Sequence, residues 1–155
     1  MKYLIVVMSF LFGIGNVWGV EYIDPDLAYF ESIDEEKQKA DLKRAEEKFE
    51  ACHHVAEPST SVEGMHIFYR TLYNCYVDVV FYVIDTFQPR VADEVKQDFQ
   101  TYLDAYDKMM YNQYYSLDPC GGSCGNIIED YIVLERANMM ENVARGYILA
   151  VKSYI

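Results

Sequence analysis

The residues best equipped for chemistry in this chain are four cysteines, Cys52, Cys75, Cys120 and Cys124. Two of them bracket a glycine-rich turn, Cys120-Gly121-Gly122-Ser123-Cys124. Thioredoxin-like redox sites use C-x-x-C within a βαβ unit, and a zinc site needs two further ligands, so C-x-x-x-C reads as a pair of structural half-cystines. Three histidines, His53, His54 and His66, are the other metal-ligand candidates. Adjacent residues on a helix point about 100° apart, so His53 and His54 cannot chelate on one face. Neither a metal site nor a cofactor is expected.

One carboxylate is placed oddly. Asp78 interrupts the most apolar stretch of the chain, between Val77 and Val79. A carboxylate inside a core must be paired, protonated or turned into a cavity. One expectation is an ion pair with Arg145, and the other is a polar anchor inside a ligand cavity lined by Tyr76, Tyr106, Met110 and Met139. Fifteen tyrosines and seven methionines suit such a lining, because tyrosine is apolar with a polar tip and methionine fills irregular space. No G-x-S-x-G, H-E-x-x-H, P-loop or Ser/His/Asp arrangement is present, so no enzyme activity is expected.

Four helices must position these residues. Asp24-Pro25-Asp26 offers an N-cap with proline at the first helical position, and apolar residues at three- and four-residue steps (Leu27, Phe30, Ile33, Leu42, Ala45, Phe49, Cys52) predict an amphipathic helix reaching about Val55. After Glu57-Pro58-Ser59, a capping box at Thr60-Ser61-Val62-Glu63 opens a second helix that runs to about Phe87. It is apolar nearly all round and reads as the buried centre. A third helix restarts after Gln88-Pro89 and ends near Tyr115, with Val91, Val95, Phe99, Tyr102, Leu103, Tyr106 and Met110 on its core face. A fourth runs from about Asn126 to Lys152, with Tyr131, Ile132, Met139, Val143 and Ile148 among its core residues. The expected fold is all-α: a four-helix antiparallel up-down bundle with two disulfides.

Three cysteine pairings are open. At about 1.5 Å of rise per residue, Cys75 lies about 20 Å into the second helix, whereas Cys52 ends the first. If the two helices form a level hairpin, those cysteines are too far apart to bond. Cys52–Cys124 with Cys75–Cys120 is then the favoured pairing.

The oxidising compartment that disulfides need is announced at the start of the chain. Met1-Lys2, an apolar stretch over Tyr3–Ile14 and Val17-Trp18-Gly19 make a secretory signal peptide, residues 1–19, followed by one helical domain over residues 20–155. Its apolar run is shorter than the ~20 residues of a membrane-spanning helix. Removal of residues 1–19 takes Lys2 with it and moves the net charge from −12 to one more negative. That field repels phosphate backbones and anionic lipid, so nucleic acid and membrane are not expected partners. No Asn-x-Ser/Thr triplet is present.

Insect odorant-binding and chemosensory proteins are also small, helical and disulfide-stapled, but the spacing Cys52-x22-Cys75-x44-Cys120-x3-Cys124 lacks the C-x8-C of the first and the C-x6-C and C-x2-C of the second. Signal peptide, four helices and four cysteines together resemble the TsetseEP-domain proteins of insects. The resemblance implies secretion into gut, haemolymph or reproductive fluid and carries over no site residue. The expected function is that of a secreted, extracellular, non-enzymatic binding protein, carrying a small hydrophobic ligand among Tyr76, Asp78, Tyr106, Met110 and Met139. The alternative is a structural or defence-related protein that engages another extracellular protein. Oligomeric state is not legible.

Overall fold

A computed structural model describes residues 34–116 and 125–155 and is all-helical: α1 is Glu35–Cys52, α2 Val62–Phe87, α3 Ala92–Ser116 and α4 Gly125–Lys152. No strand occurs among the described residues. The expected signal peptide, the expected helix start at Asp24-Pro25 and the segment from Cys120 to Cys124 lie outside them.

Helix α1 begins later than the sequence suggests. Asp34 has an extended backbone (φ −51°, ψ 132°), and its carboxylate accepts from the Glu36 backbone N–H, so it is the N-cap. A helix unbroken from residue 24 to residue 55 is therefore excluded. Glu35 and Glu36 fill the first turn, where the helix dipole favours negative charge. The charged face is laced by four-residue pairs, among them Lys37–Asp41 at 3.3 Å and Lys39–Glu35, each worth a few tenths of a kcal/mol (~0.2–0.5). The other face buries Leu42, Ala45, Phe49 and Cys52, the residues that the periodicity marked.

Helix α2 is capped by Ser61, whose Oγ accepts from the Gly64 backbone N–H at 3.1 Å, one residue later than the expected cap. Gly64 is fixed by crowding: a Cβ there would stand 2.0 Å from the Ser59 Oγ. Its second half is buried through Tyr76, Val79, Val80, Val83, Ile84 and Phe87. The first half is partly covered, and Ile67 is 60% exposed. The expectation of a centre buried along its whole length is thus corrected to its second half.

Helix α3 faces the core with Ala92, Val95, Phe99, Leu103 and Met110, and α4 with Ile132, Ala137, Met139, Met140, Val143, Ala144, Ile148 and Val151. Tyr102 and Tyr131, expected on those faces, are exposed. Both stand beside buried neighbours, Leu103 and Ile132, that take the core position in their place.

Helices α2 and α4 pack against one another most extensively, with α1 and α3 against both. The α1–α2 contact is marked by Cys52–Cys75, Phe49–Tyr76 and Lys48 over Tyr82. On the other side, Lys96 of α3 pairs with Asp85 of α2, and Phe99 meets both Phe81 of α2 and Tyr147 of α4. Lys152 of α4 reaches Glu46 of α1 at 2.8 Å.

The disulfide overturns the favoured pairing. Cys52 is bonded to Cys75, with their Cα atoms 5.7 Å apart, so neither Cys52–Cys124 nor Cys75–Cys120 can form. The level hairpin was the faulty premise. Helix α2 overshoots the end of α1 by about 20 Å, the rise from Val62 to Cys75, and residues 53–61 run back along it. Nine extended residues reach about 30 Å, ample for that return.

Candidate functional site

Two polar clusters interrupt the apolar packing. The first surrounds the disulfide. Tyr76, next to Cys75, is only 2% exposed, and its hydroxyl lies 3.2 Å from His53 Nδ1. Its ring packs on Phe49 at 5.4 Å, and Phe49 in turn lies beneath the Arg145 guanidinium at 5.3 Å. Burial, assisted by the Glu141 carboxylate, pushes the Tyr76 phenol up to about 12. This hydroxyl is thus kept protonated at neutral pH.

The second cluster lies further along the α2–α4 contact. His66 of α2 pairs with Asp130 of α4. Two turns on, Arg136 of α4 lies over the ring of Tyr73 on α2 at 4.7 Å and binds Asp107 of α3 at 2.7 Å. Burial raises the Asp107 carboxyl, and the Arg136 charge opposes that rise. Back at the level of Asp130, Tyr114 of α3 stacks on Tyr131 of α4 at 6.5 Å, their planes 8° apart.

The five residues expected to line a cavity differ in their burial. Tyr76 belongs to the disulfide cluster, Met110 and Met139 are buried, and Tyr106 is half-buried on α3. Asp78 is exposed, which removes the premise of a carboxylate held in the core. Val79 and Val80 turn inward beside it, so the helix accommodates the charge by rotation. Arg145, its expected partner, binds Glu141 at 2.7 Å instead.

Among the described residues, two depressions open on the surface. One lies along α3 at Ala105, Lys108, Met109 and Asn112, the other at Asp85 and residues 89–94 between α2 and α3. Neither involves the five expected residues. The histidines are separated as well, His53 beside Tyr76, His66 beside Asp130 and His54 exposed. Among the described residues no three His, Cys, Asp or Glu side chains come together as metal ligands, and no helix is long and apolar enough to cross a membrane.

Sequence reasoning missed Arg136, Asp107 and Glu135. The available signal was the repetition of Tyr106, Met110 and Tyr114 at four-residue steps on one helix and of Tyr131 and Glu135 on another. Those positions become a site only when the register between the two helices is known. No protein-family model matches the chain, nor does any curated protein or solved structure.

Proposed function

We propose that this protein is exported, loses residues 1–19 and works outside the cell as a non-enzymatic binding protein that carries a small hydrophobic ligand. The observation that carries the extracellular reading is the Cys52–Cys75 bridge, a cross-link that persists in oxidising compartments. The strongly acidic composition, net −12, suits a soluble extracellular protein and disfavours nucleic acid and anionic membranes as partners.

The finer fold belongs to this proposal: an antiparallel up-down bundle held by two disulfides. Pairings between helices support it. Moving along α1 from Glu46 to Phe49, the partners on α4 descend from Lys152 to Arg145, and from Phe99 to Asp107 on α3 they descend from Tyr147 to Arg136. The four-cysteine resemblance to insect TsetseEP-domain proteins fits the same picture.

A second reading, a structural or defence-related protein acting through its surface, is favoured by a specific observation. Ile67, Tyr131 and Leu149 leave more than half of their surface in water, at 60%, 53% and 57% exposure. Native mass spectrometry of the secreted protein, compared with its denatured mass, separates the two. Extra mass of a few hundred daltons that is lost on denaturation supports the carrier. A bare chain that forms a complex only with another protein supports the second reading, and a mass retaining residues 1–19 overturns export with cleavage.

A further inference from the structure

The seam between α3 and α4 holds a group of side chains in which core packing gives way to polar groups. Along α3, Tyr106, Met110 and Tyr114 share a face, and on α4 Tyr131 and Glu135 do the same, since residues four apart lie one above the other. Two contacts across the seam fix the register. Tyr114 stacks on Tyr131, and Asp107 binds Arg136. Glu135 lies one turn beyond Tyr131 and directly before Arg136, which sets it level with the turn of α3 that carries Met110. Tyr106 and Tyr114 therefore flank it on either side. Their phenols are raised by burial first and by the charge of Glu135 second, as expected of hydroxyls that share a partly dry site with a carboxylate.

The group grades from the core to the surface. Met110 is buried, Tyr106, Tyr114 and Glu135 are half-buried, and Tyr131 is exposed. Among the described residues no cation answers Glu135. Arg136 is committed to Asp107 and the Tyr73 ring, Arg145 to Glu141, and Lys108 lines the depression on another side of α3.

A carboxylate among tyrosine rings, on a chain of net charge −12, is chemistry suited to one class of ligand. Aromatic rings attract ammonium groups through the ring quadrupole, and the carboxylate supplies the countercharge. An anionic ligand would be repelled. A neutral apolar one would desolvate Glu135 without pairing it, at a cost in affinity. One carboxylate cannot complete the shell of a divalent cation.

We propose that Tyr106, Met110 and Tyr114 of α3, with Tyr131 and Glu135 of α4, form a binding site for an organic ammonium ion that bears an aromatic or alkyl group. The proposal rests on the reading of the protein as a small-molecule carrier and names the charge class of the ligand.

The test titrates the secreted, disulfide-bonded chain with phenyltrimethylammonium and, separately, with tert-butylbenzene, its uncharged isostere, following the tyrosine ring protons by NMR. The cation should bind at least about tenfold more tightly than the isostere. Glu135→Gln should abolish that preference while leaving the thermal midpoint unchanged, and Tyr131→Leu should weaken the cation severalfold. Equal affinity for both probes, or a preference that survives Glu135→Gln, overturns the site. If the isostere binds without any preference for the cation, the site falls and the apolar-carrier reading stands. Binding of neither probe overturns the site, and native mass spectrometry then decides the carrier reading by itself.

Discussion

Arg136 of α4 holds Asp107 of α3 at 2.7 Å with the two side chains only 27% and 28% exposed, and the same guanidinium covers the Tyr73 ring of α2. One side chain thus joins three helices. Arginine suits this post because its planar head can donate sideways to a carboxylate while its face lies on a ring. Lysine could do one or the other.

Arg136→Leu should cost about 1–3 kcal/mol at neutral pH, because it leaves a half-buried carboxylate without its partner. The pH dependence has a definite sign. Burial already raises the Asp107 carboxyl, and loss of Arg136 removes the influence that lowers it. A carboxyl whose folded value is raised binds its proton more tightly in the folded state, so folding gains as pH falls through the carboxylate range. The deficit of the variant should therefore narrow with acidification. Urea midpoints of both proteins at neutral and mildly acidic pH measure it, and a deficit that widens in acid would contradict the assignment.

Removing the bridge with Cys52→Ala and Cys75→Ala together should cost about 2–4 kcal/mol, through the freedom restored to the unfolded chain. Peptide mapping without reduction should link the segment containing Cys52 to that containing Cys75. Once that bond is made, a second disulfide within the chain can only be Cys120–Cys124. Recovery of a peptide joining Cys52 to Cys124 would refute this connectivity.

Alkaline pH should unfold the protein cooperatively. Burial raises the phenols of Tyr76 and Tyr147 to about 12, whereas in the unfolded chain they ionise near 10. The folded state holds those protons over that interval and the unfolded state releases them, so stability present below pH 10 is lost as pH climbs towards 12. Tyrosinate absorbance and helical circular dichroism should change together. Tyr76→Phe should shallow the decline while losing the contact with His53. Ionisation of all tyrosines without loss of helix would show that these hydroxyls are not shielded.

Phe49→Ala and Asp78→Ala form an informative contrast. Phe49 is 6% exposed and touches Tyr76, His53 and Arg145, so its truncation should cost about 3–5 kcal/mol. Asp78 is exposed, and its replacement should stay within about 0.5 kcal/mol. Denaturant titration of the two variants checks both. A large effect at Asp78 would mean that the carboxylate is engaged after all.

The same contrast shows what the sequence could disclose. Leu42, Ala45, Phe49 and Cys52 were legible as the buried stripe of α1 because charged residues surround them, leaving one way to turn the helix. In α2, where Val77, Val79, Val80 and Phe81 flank Asp78, apolarity on every side gave no means of choosing a face, and packing against α1 and α4 decided it. Tyr102 and Tyr131 were misplaced for a related reason: a tyrosine sits as readily at the rim of a core as inside it. The slide of α2 past α1 was invisible because a nine-residue connection is compatible with a level hairpin and with an offset one. Of the proposed site, Tyr106 and Met110 could be read from spacing, but Glu135 could not, since its neighbours come from another helix whose register is set only on folding.

That slide divides the molecule unevenly. From Cys75 to Phe87, helix α2 travels with α1 alongside. From Val62 to Asn74, the described helices accompanying it are α3 and α4. Amide protons in the first of these zones should exchange with solvent only through global unfolding, whereas those of the second can exchange by local opening, since fewer apolar contacts hold it. The disulfide stands at the frontier between the two zones, bolting α2 where its better-packed span begins. It can therefore guard one end of the helix while the tyrosine-lined end opens without unfolding the rest.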